Sequence, residues 1–163
     1  MEIERKFLIA HMPENLDSYE CKNIEQGYLC TAPVVRIRRS NEHYYLTYKS
    51  ANRAVNEESG ALECDEVERP LTREAYEHLR TKIDGNALTK KRYIIPLEGG
   101  LKAELDIFEG AFKGLQFTEV EFPDRETSQK FVKPEWFGEE VTFDNRFKNS
   151  YLSRIKGFDE LGL

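Results

Sequence analysis

Charged side chains recur at alternate positions in strand-like segments along the whole chain. The first segment, MEIERKFLI, places Glu2, Glu4 and Lys6 on one face of an extended chain, because successive side chains of a strand point to opposite faces. Ile3 and Phe7 fall on the other face. Taken alone, this pattern is typical of an amphipathic strand whose charged face lies in solvent. A functional interpretation requires that other strands repeat it.

Charged residues share one face in several further segments, mostly acid with acid or base with base. A solvated face usually mixes Thr, Ser, Gln and Lys, so solvation explains any single strand but explains the whole set poorly. The set therefore indicates a ligand site lined by strands. Its members are Arg36 and Arg38 in VVRIR, Tyr45, Thr47 and Lys49 in YYLTYK, Glu66 and Glu68 in EVE, Lys90 and Arg92 in TKKR, Lys102, Glu104 and Asp106 in KAELDIF, and Glu119 and Glu121 in TEVEF.

The pattern predicts an α+β, mainly β fold in one domain that spans residues 1–163. Strand-like alternation occurs in about eight segments, and eight antiparallel strands can close into a barrel. Helical periodicity occurs in TREAYEHLRTKID, in DRETSQKFV and in DNRFKNSYLSRIK, the last with Asp144 as a candidate N-cap. We therefore expect an eight-stranded, antiparallel, closed barrel with flanking helices and a C-terminal plug helix. The stretch from Ser50 to Ala61 reads as a polar loop.

Composition narrows the chemistry and the location. A net charge of -6 argues against a general nucleic-acid or membrane-surface protein, and no apolar run approaches a membrane span of about 20 residues. The first residues are too charged for a signal peptide, so we expect a cytoplasmic location. The three cysteines contain no C-x-x-C, and the three histidines lack metal-ligand spacing. A metal would therefore be held by carboxylate oxygens, which favours Mg²⁺ or Mn²⁺.

The two kinds of charge indicate two kinds of ligand. Clustered carboxylates raise one another's pKa unless a cation compensates, so gathered glutamates imply a divalent metal. Gathered lysines and arginines imply a polyanion, and phosphate fits because guanidinium groups bind its oxygens bidentately. The basic residues exceed what one phosphate needs, so a chain of phosphates is indicated. No glycine-rich phosphate loop is present, so side chains would hold the phosphates.

The motifs resemble those of the CYTH superfamily, also called triphosphate tunnel metalloenzymes. EIERK is similar to the E-x-E-x-K signature of that family. Glu63, Cys64 and Asp65 depart from the pattern, because a basic residue often stands there in the family. The resemblance implies a tunnel that binds a triphosphate through its basic residues and one or two divalent cations through its acidic ones. The later motifs follow in order as R-x-R at Arg36 and Arg38, LTYK at Lys49, E-x-E at Glu66 and Glu68, K-x-R at Lys90 and Arg92, ELD at 104–106 and EVEF at 119–122.

The resemblance also implies residue roles. Glu2, Glu4 and Glu121 are expected to hold the first metal. A second metal, or the attacking water, is expected to be held by Glu119 and Asp106, together with either Glu66 or Glu68. Lys49 is expected to contribute to catalysis, and Lys148, beside the apolar face of the last helix, to reach a terminal phosphate. The remaining expected phosphate contacts are Lys6, Arg36, Arg38, Lys49, Lys90 and Arg92.

The function that the resemblance implies is metal-dependent hydrolysis of inorganic tripolyphosphate or a related short triphosphate, a small-molecule substrate. The alternatives are a class IV-type adenylyl cyclase, a thiamine or nucleoside triphosphatase, and a non-catalytic polyphosphate-binding module. A cyclase would need residues for adenine and for the ribose hydroxyl, and none is evident. A binding module would lack water-positioning acids such as Glu119 and Asp106. Outward apolar residues such as Ile3, Phe7 and Val35 would pack under helices or in a homodimer.

Overall fold

The strands follow the charge alternation seen in the sequence. The computed structural model describes residues 1–50 and 60–163, and the backbone of 54–56. Most of the predicted loop from Ser50 to Ala61 therefore lies outside the described residues. The strands are β1 (Glu2–Ile9), β2 (Glu20–Thr31), β3 (Val34–Ser40), β4 (His43–Lys49), β5 (Ala54–Asn56), β6 (Ala61–Cys64), β7 (Glu66–Leu71), β8 (Asp84–Pro96), β9 (Lys102–Phe108), β10 (Gln116–Glu121) and β11 (Phe137–Glu140).

Nine of these strands form a nearly closed antiparallel barrel in the order β6-β1-β10-β9-β8-β2-β3-β4-β7. The end strands β6 and β7 are separated in the chain by Asp65 alone. One half of this segment pairs with β1 and the other half with β4, and the Ser50 amide donates to the Asp65 carbonyl at 3.1 Å. The mainly β antiparallel barrel predicted from the sequence is thus confirmed, with the segment ECDEVER divided at Asp65. β5 and β11, which pair with β6 and β1, were not predicted.

Two of the three predicted helices form, although the first ends at Arg80 and the predicted helical segment continues to Asp84, where β8 begins. Helix α1 (Arg73–Arg80) begins after Thr72, whose hydroxyl accepts a hydrogen bond from the Ala75 amide, and α2 (Arg125–Lys130) begins after Asp124, whose carboxylate caps Thr127. None of the helices described is both long and apolar enough to cross a membrane.

The prediction of a single C-terminal helix is wrong. A 3₁₀ turn (Asn145–Phe147), capped by Asp144, precedes the short helix α3 (Asn149–Leu152), and Lys148 between them is extended, with ψ 131°. The extended residue turns the chain so that the carbonyl of Phe147 and the side chain of Lys148 face the barrel interior. The apolar periodicity could not reveal this break because Phe147 and Leu152 are buried on either side of it.

One hydrophobic cluster covers the outside of the barrel. Ile3 and Phe7 of β1 pack there with Val120 of β10, beneath Phe131 and Phe137 from the α2–β11 region. The rings of Phe7 and Phe137 pack at a tilt of 45°, with centroids 5.0 Å apart. The outward apolar face of β1 is therefore covered within the chain, as the first of the two sequence alternatives expects.

A second cluster fills one end of the barrel. Phe108, Phe117 and Leu88 share the inward parity of the charged residues on their strands, and they pack against Phe147 and Leu152 of the C-terminal segment. Phe117 and Phe147 meet edge to face at 6.4 Å. We call residues 144–155 the plug, because their apolar side chains close this end of the barrel beyond the charged layer.

Candidate active site

A cavity of about 180 Å³ lies inside the barrel beside the plug. Most of the residues in its wall are charged. It brings together most of the residues that the sequence predicted for the site, which are Glu2, Glu4, Lys6, Arg36, Arg38, Lys49, Glu66, Arg92, Glu119, Glu121 and Lys148. Because inward positions alternate along each strand, the parity of the sequence pattern placed the ten of these side chains that lie on strands on the correct face.

Glu4 and Glu119 form the centre of the acidic wall. Burial, and then the charges of Glu119 and Glu2, raise the pKa of Glu4 well above its usual range. Burial alone would raise the pKa of Glu119 too, but Lys6 and Arg92 hold it well below its usual range. These opposite shifts favour a protonated Glu4 beside an ionised Glu119, with a hydrogen bond between the two carboxyl groups.

Lys49 joins two further carboxylates on the same wall. Its ammonium lies 2.9 Å from Glu2 and 3.9 Å from Glu66. Burial and the adjacent charge of Glu2 raise the pKa of Glu66 to about 7, whereas the pKa of Glu2, despite its burial, is lowered by Lys49. Glu121, an exposed residue of the cavity lining, also has a raised pKa, through partial burial and then the charges of Glu2 and Glu104. The wall thus carries more acid than its lysine compensates.

The described residues contain no group of three or more His, Cys, Asp or Glu side chains placed as a complete metal-ligand set. The predicted ligands Glu2 and Glu4 are instead engaged with Lys49 and Glu119. Their donor chemistry nevertheless fits a hard cation, because they are carboxylates, and burial followed by the repulsion of neighbouring carboxylates raises the pKa of Glu4 and of the third predicted ligand, Glu121. A divalent cation would replace the proton that Glu4 and Glu119 share.

Three arginines form the opposite, basic wall. Arg36 donates to the Thr47 hydroxyl at 3.3 Å, and its Nε has no hydrogen-bond partner in the described part of the chain. Arg38 is held by Gln26, and Arg92 binds Asp106 through two parallel hydrogen bonds of 2.7 and 2.9 Å. Unpaired buried donors are costly, so this wall is suited to a ligand rich in acceptors.

Three predicted site residues do not line this cavity. Lys90 and Asp106 are fully buried and form an ion pair of 2.7 Å behind the wall. Glu68 is exposed, accepts from the Thr47 hydroxyl at 3.2 Å and faces a neighbouring cavity. Each of the three has the predicted inward parity. The strand register, however, pairs Arg92 of β8 with Asp106 of β9, so the Asp106 carboxylate forms ion pairs with Arg92 and Lys90. Lys90 and Asp106 therefore support Arg92 in this structure and do not face the cavity.

The plug completes the cavity. Lys6 donates to the Phe147 carbonyl at 2.5 Å, lies 3.6 Å from Glu119 and sits over the Phe117 ring at 4.4 Å. Lys148 lines the cavity from its extended position, as the sequence predicted for this residue. The plug thus contributes a backbone group, the Phe147 carbonyl, and a side chain, that of Lys148, to the charged part of the barrel interior.

Sequence reasoning missed several polar residues that line the cavity. The segment around the plug is not a strand, so alternation along the sequence does not indicate which of its side chains face inward. It contributes Thr142, Asp144, Asn149 and Ser150. Asn149 also accepts from the ammonium of Lys90 at 3.3 Å. The remaining lining residues are Tyr28, Leu62, Glu104 and Val141.

Family comparison agrees with this geometry. The sequence profile of the CYTH domain matches residues 1–156. The chain belongs to the CYTH domain family. The resemblance carried by EIERK and its companion motifs is therefore confirmed. The triphosphate tunnel enzymes of this family depend on a metal.

Curated relatives extend the comparison over the full length. An inorganic triphosphatase of Nitrosomonas europaea is 37% identical over 155 residues, which cover 93% of this chain and 96% of the relative. An inorganic triphosphatase of Acetivibrio thermocellus is 35% identical over 167 residues, covering 98% of each chain. The crystal structure of the inorganic triphosphatase NE1496 superimposes with a TM-score of 0.69 at 34% identity and covers 96% of this chain and 97% of that chain.

Proposed function

We propose that this protein is a metal-dependent triphosphatase that hydrolyses inorganic tripolyphosphate, or a closely related short triphosphate, inside its barrel. The observation that carries the proposal is the cavity itself, in which an acidic wall centred on Glu4 and Glu119 faces a basic wall of Arg36, Arg38 and Arg92. A triphosphate would lie between a wall that attracts its oxygens and a wall that attracts a cation bound to it. The two inorganic triphosphatase relatives support the same substrate class.

The acidic residues would hold the cation. Glu2, Glu4 and Glu121 are proposed as ligands of Mg²⁺ or Mn²⁺, with Glu119 and Glu66 as the candidates for a second ion. When bound, the cation would neutralise charge on the phosphate chain and favour phosphoryl transfer.

The remaining residues of the cavity would bind the phosphate chain and orient the attacking water. Arg36, Arg38, Arg92, Lys6 and Lys148 surround the space with donors, and these contacts would act in both the ground state and the transition state. The low pKa of Glu119 keeps its carboxylate able to accept a hydrogen bond from an attacking water. Lys49 would compensate charge beside Glu2 and Glu66. Water attacks a terminal phosphorus and the P–O bond to the remaining diphosphate breaks, so the products are phosphate and pyrophosphate.

The plug would exclude water from one end and fix the position of the terminal phosphate, since its apolar side chains fill the barrel beyond the charged layer. We further propose that the chain works as one domain. A cytoplasmic location and a homodimer stay predictions of the sequence.

The test is a substrate panel. Phosphate release is measured from tripolyphosphate, pyrophosphate, ATP and thiamine triphosphate, each with Mg²⁺, with Mn²⁺ and with a chelator, alongside an assay for cyclic AMP. We expect metal-dependent release with tripolyphosphate as the best substrate. Cyclic AMP as the main product would overturn the proposal in favour of a cyclase, and binding without turnover would favour a polyphosphate-binding module.

A further inference from the structure

Gln26 of β2 is a fully buried amide that lies directly opposite Arg38 of β3. Its Oε1 accepts two hydrogen bonds from the guanidinium, one from Nε at 3.0 Å and one from Nη2 at 2.7 Å. A guanidinium only donates, so the amide oxygen must face Arg38 and the amide nitrogen must face away. That nitrogen has no hydrogen-bond partner among the residues that the structure describes. Within the described part of the chain, this buried donor thus stays unpaired while the amide oxygen binds Arg38.

Other cations of the cavity are held differently. Arg92 is bound by Asp106 and by Glu104, and Lys49 is bound by Glu2. In the described part of the chain, no carboxylate lies within ion-pairing distance of Arg38. Its Nη1 also makes no hydrogen bond there, although Arg38 lines the cavity. Arg38 is thus fixed on one edge by a neutral group while its charge stays unpaired.

The unpaired charge has an electrostatic consequence. Burial, and then the nearby charges of Arg36 and Arg92, lower the pKa of Arg38 to about 9. The guanidinium remains protonated at neutral pH, but in surroundings with an excess of positive charge that an anion would relieve.

We propose that Gln26 is a positioning and specificity-determining residue for the phosphate chain: its neutral amide orients the guanidinium of Arg38 without neutralising it, so that the full charge of Arg38 is available to the substrate. The inference rests on the proposed function. A glutamate would give the same orientation, because each of its oxygens accepts hydrogen bonds, but it would spend the charge of Arg38 on an internal ion pair.

The decisive variant is Gln26→Glu, assayed with tripolyphosphate and Mg²⁺. We expect KM to rise about tenfold or more, with a smaller change in kcat and no loss of melting temperature, because the lost interaction is one with the substrate. If Gln26 served only to support the fold, the glutamate variant would keep its two hydrogen bonds and its KM. The matched control is Asn23→Asp, which makes the same change of charge at an exposed position of the same strand and should keep the wild-type KM.

A double-mutant cycle tests whether Gln26 acts through Arg38. In an Arg38→Ala background, Gln26→Glu should change KM by no more than about twofold, because the residue it would neutralise is absent. If the full tenfold effect persists there, or if Gln26→Glu alone leaves KM within twofold of wild type, the proposal is overturned. If Gln26→Glu melts early, Gln26→Leu takes its place, since it removes the acceptor without adding charge. This variant must raise KM in the wild-type background and have no effect in the Arg38→Ala background.

A binding measurement separates this inference from the proposed function. Inorganic tripolyphosphate is titrated calorimetrically into each protein in the presence of a chelator, so that binding is measured without turnover. We expect wild-type protein to bind and Gln26→Glu to bind at least tenfold more weakly. Wild-type protein that neither binds nor hydrolyses tripolyphosphate would defeat the proposed function. Wild-type protein that binds it no better than Gln26→Glu would defeat the role of Gln26 alone.

Discussion

Glu4 lies beside Glu119 and Glu2, and a bound metal ion would relieve the repulsion among these carboxylates. Burial and the charges of Glu119 and Glu2 favour its protonated form, so above the usual pKa of a glutamate the unfolded chain releases a proton that the folded chain retains. This costs stability as the pH rises. Glu4→Gln keeps the shape and the donor to Glu119, so we expect its melting temperature without metal to equal or exceed that of wild type, with the gain growing between pH 5 and 8. Thermal melts across this pH range measure it.

The same variant should lose nearly all turnover of tripolyphosphate, because an amide is a far weaker ligand for a divalent cation than a carboxylate. Glu139→Gln, at an exposed position of β11, is the control and should behave as wild type. Turnover of Glu4→Gln within a few-fold of wild type would remove Glu4 from the metal site.

Lys148 tests the role of the plug at a single side chain. Lys148→Ala should lower kcat/KM for tripolyphosphate by about tenfold or more, equivalent to about 1.4 kcal/mol, because a cation that lines the cavity is lost. Its melting temperature without ligand should change little. Lys113→Ala, on the exposed surface, is the matched control. Unchanged kinetics would show that Lys148 does not contact the substrate, whereas an early melt would assign it to folding.

At the scale of single residues, the sequence correctly predicted which side chains face the barrel interior, but it did not predict which charged side chains pair with each other. Alternation fixes the face on which a side chain lies, and so Glu4, Arg38 and Lys49 were correctly placed inside the barrel. Which charges meet depends on register between strands that are distant in sequence. Arg92 lies opposite Asp106, and this pairing withdraws Asp106 from the cavity. Nothing in either segment alone specifies it.

At the scale of elements, the plug is fastened to the start of β8. The Asn86 amide donates to the Ser153 carbonyl at 2.8 Å, and the Asn86 side chain donates to the Ile155 carbonyl at 2.7 Å. The contact depends on Gly85, which has φ +71° and so little space that an added Cβ would lie 2.1 Å from the Ser153 oxygen. A residue with a side chain at position 85 would therefore push the plug away from the barrel.

Gly85→Ala should lower the melting temperature by several degrees and lower kcat/KM as well, because the plug must move. A non-glycine residue at positive φ costs roughly 1 kcal/mol or more by itself, so the clash needs a control with the same backbone strain. Gly99→Ala provides it, because Gly99 has φ +72° and nothing within 4 Å of the added Cβ. We expect Gly99→Ala to lose some stability and no activity. Equal kinetics for the two variants would show that the position of the plug does not matter to the reaction.

At the scale of the whole molecule, the antiparallel barrel was predictable because strand periodicity extends over most of the chain and its like-charged faces cannot all be solvated. The remaining differences arise where periodicity carries no information. Asp65 divides one predicted strand because its two halves pair with different neighbours to close the barrel. Lys148 divides one predicted helix because closing the barrel end requires a turn of the chain. Both breaks are consequences of closure, which is a property of the complete molecule.

The separation of the two walls leads to a prediction about the whole barrel. A cation alone would relieve the repulsion between the glutamates, and a triphosphate alone would relieve the repulsion between the arginines. Each ligand bound alone, however, would be repelled by the opposite wall, which has the same sign of charge as the ligand. Bound together, the two ligands neutralise each other as well as both walls. Their binding should therefore be positively coupled, each raising the affinity for the other by the same factor.

We test this coupling with Mg²⁺ and a methylene-bridged analogue of tripolyphosphate that resists hydrolysis. A ligand present at 100 times its Kd adds about 2.7 kcal/mol to the free energy of unfolding, which for a protein of this size raises the melting temperature by roughly 5–10 °C. We expect each ligand alone to raise the melting temperature and both together to raise it by more than the sum of the separate shifts. An additive result would mean that metal and phosphate bind at independent places, and the barrel would then not join its two walls through one substrate.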